Sequence, residues 1–303
     1  MHSYSAYGLG LHSAIPLPEL IPSRQMADVE IKFGQVDRIP INDDSIKNYS
    51  WISDKGIHLF WKDVATYRVT GGREVTIDAV PGVEEQRIRL FILGAVMSVI
   101  LHQRGYMVFH ASAIEVNGAG VMFVGNKAWG KSTMAAAMHS RGHNCLADDV
   151  VGVDDRSGEQ VDILPSFPQL KLWPDAISSI GGNPYDFPTV NSLIEKRDRR
   201  LASGFCSRRV QLRRIYVLGT SECATPQIYP VNQRDALVLL IANTYNARFG
   251  KDIFCKDSGP HLMRCSNLVK KVPVFRLIRP KSLELLPNIS HMIEQHSFEE
   301  VFN

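Results

Sequence analysis

Gly120-Val121-Met122-Phe123-Val124-Gly125-Asn126-Lys127-Ala128-Trp129-Gly130-Lys131-Ser132-Thr133-Met134-Ala135-Ala136-Ala137-Met138 is the stretch around which the chain organises. Five apolar residues read as a short buried strand. Thr133 to Met138 reads as a helix start rich in alanine. Between them lies G-x-x-x-x-G-K-S, from Gly125 to Ser132. A strand before and a helix after let the loop's N–H groups and the helix N-terminus face one anion. The spacing then brings Lys131 to the β- and γ-phosphates of a nucleotide and the Ser132 hydroxyl to a magnesium ion. A plain glycine turn would not account for Lys131-Ser132.

Outward from this loop, the next signal is Asp148-Asp149, which follows the apolar run Cys145-Leu146-Ala147. That places the pair at the C-terminal end of a strand, the edge at which open α/β sheets bind ligands. Phosphoryl transfer uses one carboxylate near the metal and often another to orient or deprotonate the nucleophile. Adjacent aspartates can supply both, although a solvated turn would also use them. His110, in Val108-Phe109-His110-Ala111-Ser112, reads by pattern alone as a satisfied core side chain.

The 303 residues suffice for one large domain or for a small and a medium one. A hydrophobic share of 45% and a charged share of 21% are ordinary for a globular chain. A formal net charge of +3 is too weak to call for nucleic acid. Met1 to Ser23 has neither a basic start nor a continuous apolar core, so no secretory signal is expected. The most apolar stretch, Ile88 to Leu101, falls short of the roughly 20 residues of a membrane crossing and reads as a buried helix. Cys145, Cys206, Cys223, Cys255 and Cys265 are scattered, which points to reduced thiols in a cytoplasm with no membrane partner.

Residues 1–82 read as a small, mostly β N-terminal domain. Its strands are expected at Tyr4–Leu11, Val29–Phe33, Gly56–Trp61, Ala65–Thr70 and Glu74–Val80, with a hairpin at Gly71-Gly72. After Pro81-Gly82, one long helix is expected over Glu84–Arg104. Residues 83–303 read as an α/β core of mixed sheet. Strands are expected at Met107–Val116, Val121–Val124, Cys145–Ala147, Val150–Val153, Arg214–Leu218 and Val274–Ile278. Helices are expected through Arg141 and at Arg234–Asn243, His261–Val269 and Ser282–His296. Residues 181–208 carry the least regular signal and read as a mobile loop.

Lys196-Arg197-Asp198-Arg199-Arg200 with Arg208-Arg209 and Arg213-Arg214 concentrates basic residues. The run reads as a solvated surface, as a source of an arginine for the γ-phosphate, or as a holder of an acidic peptide. Lys196, Arg197 and Arg200 are the candidates for such contact. Trp129 either shields a nucleotide or packs on the hairpin. Trp173 reads as core, and Thr244, Tyr245, Arg276 and Arg279 read as structural.

His110-Ala111-Ser112, the Gly125–Ser132 loop, Arg141-Gly142-His143 and Leu146-Ala147-Asp148-Asp149, taken together, resemble the catalytic core of bacterial HPr kinase/phosphorylases. The resemblance is specific over residues 106–154 and weaker to Pro280. It implies a P-loop core related to that of phosphoenolpyruvate carboxykinase, with ATP and Mg²⁺ as cofactors. It also implies a role for His110 near the phosphates, metal binding by Ser132 with Asp148, and Asp149 as the base. Lys131 and the loop residues Gly125, Asn126, Lys127, Ala128, Trp129, Gly130 and Thr133 would complete the nucleotide site. The related kinases are oligomeric, so a homo-oligomer is among the expectations.

The chain departs from that family at Thr133, where the regulatory kinases carry Glu, and lacks their glycine-rich signature after the acidic pair. Tyr7-Gly8-Leu9, Pro16-Leu17-Pro18-Glu19-Leu20 and Phe167–Pro174 are more similar to the HPr-kinase-related proteins encoded beside lasso-peptide genes. That likeness implies a kinase for a peptide or small protein, with the C-terminal serine of a lasso-peptide precursor as acceptor. An HPr-type serine kinase/phosphorylase and a nucleotide-binding regulatory module with slow ATPase activity are the alternatives.

Overall fold

The computed structural model describes residues 1–37, 45–191, 194–222, 225–248 and 258–298. It is a mixed α/β structure built on three sheets. The first sheet has eight strands in the order Ile21–Pro22, His2–Ala6, Leu9–Ser13, Val29–Phe33, Glu74–Ala79, Ala65–Thr70, Gly56–Trp61 and Asn48–Ser53. Alternation dictates its buried face. Val29 and Ile31 point inward while Glu30 and Lys32 point out, and Val75 and Ile77 repeat the pattern one strand over. That face is covered by the helical run Glu85–Gln103, whose Ile88, Ile92, Val96, Val99 and Ile100 join the same core. The run is continuous but contains a π-helical turn over Ile92–Val96, a feature found often beside functional sites.

Three expectations for this region change. Tyr4–Leu11 is two strands, because Tyr7 and Gly8 both take positive φ and close a hairpin. Asn48–Ser53 is a strand the reading omitted, although Tyr49 and Trp51 alternate with Ser50 as a strand would. The single strand Met107–Val116 breaks at His110-Ala111, for a reason that creates the site.

The second sheet runs in the order Asn144–Asp148, Ser112–Val116, Ala119–Val124, Val210–Thr220, Val274–Arg279 and Gln227–Pro230. Its three middle strands are parallel from Ala119–Val124 to Val274–Arg279. Both faces are covered. Met122, Val124, Ile215 and Val217 pack under the helices Gln233–Asn243 and Ser258–Lys271, through Leu240, Cys265 and Leu268. Phe123, Tyr216 and Leu218 pack under Lys131–Ser140 and Leu286–Phe298, through Met134, Met138, Ile289 and Ile293. Burial on two faces is why these strands read as continuous apolar runs.

The same sheet curls at its margin through Asp162–Ile163, Val151–Asp154 and Met107–Phe109. A third sheet pairs Gln169–Leu172 with Ile194–Arg200 and that with Thr189–Asn191. The stretch expected to be a mobile loop therefore contributes two strands. Its charges hid the pattern: Arg197 and Arg199 lie near the rings of Tyr185 and Phe187 instead of in open solvent. The last helix is Leu286–Phe298, starting later than Ser282.

A charged clamp fixes the helix after the loop to the last helix. Arg141 donates to Glu294 at 2.7 and 2.6 Å, and His143 Nε2 lies 2.8 Å from the same carboxylate. The Arg141 hydrogen bond, followed by that of His143, holds the Glu294 carboxyl down at about 2, against an ordinary 4.5. A lowered carboxyl contributes stability above the ordinary value and loses it as pH falls toward the folded one. Glu294→Gln is expected to lower Tm by a few degrees at pH 7, with the gap to the parent closing between pH 4.5 and 2. A gap that persists unchanged at pH 2 would place the stabilisation elsewhere.

Among the described cysteines, Cys145, Cys206 and Cys265 are free and buried; Cys223 and Cys255 lie outside the described residues. Among the described residues, no helix is long and apolar enough to cross a membrane.

Candidate active site

Two antiparallel segments, 107–116 and 144–154, pair with each other in one register, and the site forms at the crossing between their two ladders. Ser112 pairs with Asp148 in one ladder, and Phe109 with Val151 in the next. His110-Ala111 and Asp149-Val150 are the residues left at the crossing. Asp149 takes φ 69°, a left-handed conformation that aspartate tolerates better than most residues. This turns its side chain to His110, whose Nδ1 lies 3.1 Å from both the carbonyl oxygen and Oδ1 of Asp149. Two acceptors on one nitrogen put the ring proton on Nδ1. The sequence reading of His110 as core is thus superseded: it is part-exposed and faces the cavity that the loop lines.

The crossing is supported from the N-terminal sheet. Tyr7, at the first hairpin, is fully buried and donates its hydroxyl to the Val150 carbonyl at 3.0 Å, while its N–H donates to Pro165 O at 2.8 Å. Burial, with Asp149 and Tyr245 nearby, pushes the Tyr7 hydroxyl well above its usual range, so it stays a donor.

Asp148 is set differently from its neighbour. It is 7% exposed; Oδ1 accepts from Ser112 Oγ at 2.6 Å and Oδ2 from the Lys171 N–H at 3.0 Å. Asp149 is more open, and Lys171 Nζ stands 3.9 Å from its Oδ2.

The Gly125–Ser132 loop joins its strand to the helix Lys131–Ser140, with positive φ at Gly125, Ala128 and Gly130. Lys131 is 7% exposed and donates to the Gly125 carbonyl at 2.8 Å and the Asn126 carbonyl at 3.1 Å. Trp129 packs against the cluster that includes Phe123 and Leu218, and its carbonyl accepts from Arg279 at 3.1 Å. Asn126, Lys127 and Ala128 are exposed, Ser132 is half-buried and Thr133 buried.

One cavity of about 570 Å³ brings together Lys127 to Thr133, His110, Asp148, Asp149, Lys171, Lys196, Arg279 and Lys281. Of the loop, Gly125 and Asn126 are not among the residues that line this cavity. Of the basic segment, Lys196 reaches this cavity, with Nζ 5.8 Å from the Trp173 ring centre. Arg208 pairs with Glu115, and Arg209 with Asp154 at 2.9 Å, which are structural contacts. Trp173 is 43% exposed and lines the cavity, where the sequence reading had it in the core.

Four further residues stand at the site, of which Lys171 and Asn243 carry no signal in the sequence and Arg279 and Tyr245 read there as structural. Lys171 is a lone lysine in an apolar strand, opposite Asp198, whose carboxyl burial pushes up to about 6. Arg279 closes the far wall, and its burial pulls its guanidinium below the usual range. Tyr245 sets its ring edge toward His110, 5.9 Å between centres. Asn243 accepts from the Gly125 N–H at 2.9 Å and, through its carbonyl, from the His110 N–H at 3.1 Å. It thereby ties the loop and the crossing to one helix end.

Residues 95–166 match the HPr Serine kinase C-terminal domain family, a span that contains His110, the whole loop and both aspartates. Among curated proteins, the chain is 48% identical over 56 residues to the HPr kinase/phosphorylase of Prosthecochloris aestuarii. It is 43% identical over 61 residues to that of Chlorobaculum tepidum. These alignments cover 18% and 20% of this chain and only 16% and 18% of the two relatives. A solved structure, the Hpr(Ser) kinase/phosphatase from Coxiella burnetii, overlaps with a TM-score of 0.33 and 14% identity, covering 63% of this chain and 95% of that one. The chain thus shares with the HPr kinase/phosphorylase family the segment that carries the candidate site.

Proposed function

We propose that this chain is an ATP- and Mg²⁺-dependent serine kinase acting on a peptide or small protein. The C-terminal serine of a lasso-peptide precursor is the acceptor we assign to it. The observation that carries this reading is the meeting of the Gly125–Ser132 loop with His110, Asp148 and Asp149 in one cation-rich cavity. The loop's N–H groups and Lys131 take the phosphates, with Arg279 and Lys171 adding positive charge around them. The acceptor hydroxyl gives its proton to Asp149 as its oxygen attacks the γ-phosphorus; the bond to the β-phosphate oxygen breaks and ADP leaves. His110 holds Asp149 in place through Nδ1.

Magnesium is held through one or two carboxylates plus substrate phosphates, not by a full protein cage. Ser132 and Asp148 fit that need, because both line the cavity and each Asp148 oxygen has a lone pair beyond its present hydrogen bond. Bound there, the ion neutralises charge on the phosphates. In the same proposal residues 1–82 and 83–303 act as two domains, the first presenting the acceptor and the second transferring the phosphate. A nucleotide switch would need the loop and metal ligands but no base, and the Asp149–His110 pair favours transfer.

The test is mass spectrometry of a serine-terminated precursor peptide incubated with the protein, ATP and Mg²⁺. A gain of one phosphate on the terminal serine is expected. ATP consumption without any gain on serine peptides would reject the kinase reading in favour of the switch.

A further inference from the structure

A second cavity, of about 590 Å³, is also lined by Asp149. Its walls come from the inner face of the N-terminal sheet, through Leu59 and Trp61, and from the helical run at its π turn, through Leu90, Phe91 and Ala95. Trp61 and Phe91 stack with ring centres 4.2 Å apart. Asn48 and Ser50 form the outer rim, and Tyr245 and Asp149 the inner end. Gly94 stands at that inner end. A Cβ there would lie 3.6 Å from the Tyr245 hydroxyl and 3.7 Å from Asp149 Oδ2, so glycine keeps the way to the aspartate open.

The two cavities that share Asp149 differ in charge. The loop cavity is lined by Lys127, Lys131, Lys171, Lys196, Arg279 and Lys281. The second has no lysine or arginine among its lining residues, and its one formal charge is the Asp149 carboxylate. A polyphosphate placed in it would be desolvated against a carboxylate with no cation to pair. An uncharged, partly apolar group meets aromatic and aliphatic walls there and reaches Asp149 through a cavity that the loop does not line.

We propose that this cavity is the acceptor site, and that it takes a peptide whose residue next to the serine is aromatic or aliphatic. The assignment rests on the kinase reading for its chemistry and adds to it the place and the selectivity of the acceptor. The apolar side chain lodges against the Trp61–Phe91 stack and Leu59, and the serine hydroxyl passes Gly94 to meet Asp149. An acidic neighbour is rejected, because it would be buried without a partner beside that carboxylate.

The probes are two peptides that differ at one position, ending in Phe-Ser or Glu-Ser, and their twins ending in alanine for binding without turnover. With the full chain, ATP and Mg²⁺, the Phe-Ser peptide is expected to show a KM at least about tenfold below that of its Glu-Ser twin, ~1.4 kcal/mol. Gly94→Leu, which blocks the inner end, and Ser50→Trp, which narrows the rim, are each expected to weaken binding of the Phe-Ala peptide by about tenfold or more. ATP affinity, measured separately, serves as the folding control. Phosphorylation of both peptides with equal KM, or Phe-Ala binding unmoved in both variants, overturns the assignment. If no serine peptide is phosphorylated yet Phe-Ala binds and is lost in the variants, the cavity assignment stands and the kinase reading falls.

Discussion

Lys131→Met is expected to abolish phosphoryl transfer to within detection and to weaken ATP binding by about 10²-fold or more, the scale on which one aligned donor at a charged transition state counts. Lys131 is 7% exposed, and its ammonium sits inside the loop, donating to the Gly125 and Asn126 carbonyls. It therefore does two things: it closes the loop, and in the proposed kinase it holds a positive charge where the triphosphate would lie. Methionine keeps the length of the side chain and its apolar stem, so the packing of the helix start on the sheet survives. What disappears is the charge. Two loop carbonyls also lose a donor, at a cost on the order of 1–3 kcal/mol where such groups stay buried. Calorimetric titration with ATP and Mg²⁺ measures the first effect, and denaturant unfolding the second. An affinity for ATP within threefold of the parent would remove Lys131 from the nucleotide site and with it the reading of Gly125–Ser132 as a phosphate loop. Unfolding without nucleotide separates the two effects, since the loop carbonyls are affected whether or not ATP is bound.

How far the sequence could reach differs between the loop and its surroundings. Gly125–Ser132 is legible because its requirements are local: glycines where φ turns positive, a strand before, a helix after. The aspartate pair is legible by its place at a strand end. The break at His110-Ala111 is not, because Met107 to Val116 is mostly apolar on both sides of it and nothing local marks the interruption. It lies opposite Asp149-Val150, where Asp149 takes positive φ and interrupts the pairing of the two segments, a long-range fact about two ladders. Lys171 and Asn243 were invisible for a related reason. Each acts through contacts with residues distant in the chain, Asp148 and Asp149 for Lys171 and Gly125 and His110 for Asn243, and carries no periodic or spacing signature. Trp173 shows the opposite error. A tryptophan before a proline reads as core, yet it stands 43% exposed at the cavity wall, with the Lys196 ammonium near its ring.

Asp149→Asn is expected to lower kcat by about 10²–10⁴-fold, the usual reach of a positioned base, while leaving ATP affinity within a few-fold of the parent. Asparagine is the fitting probe because it tolerates the left-handed backbone that Asp149 adopts, so the crossing of the two ladders is preserved. Its amide oxygen can still face His110 Nδ1, but the side chain no longer takes a proton. Asp148→Asn gives the contrast. That carboxylate accepts from the Ser112 hydroxyl and the Lys171 N–H, and an amide forces an NH₂ against one of those two donors. The Asp148 variant is thus expected to lose stability and Mg²⁺ dependence together, where the Asp149 variant loses the chemical step with its fold intact. Single-turnover measurements on both variants, with thermal melts alongside, separate the two patterns. A transfer rate for Asp149→Asn within tenfold of the parent would leave the proton to another acceptor. Full loss of ATP binding in the same variant would make Asp149 a ligand of the nucleotide side. The predicted combination, slow chemistry with ATP held normally, is what a carboxylate between two cavities of unlike charge produces: the cations on one side hold the phosphates without it, and the acceptor on the other side has no second base among the residues that line its cavity.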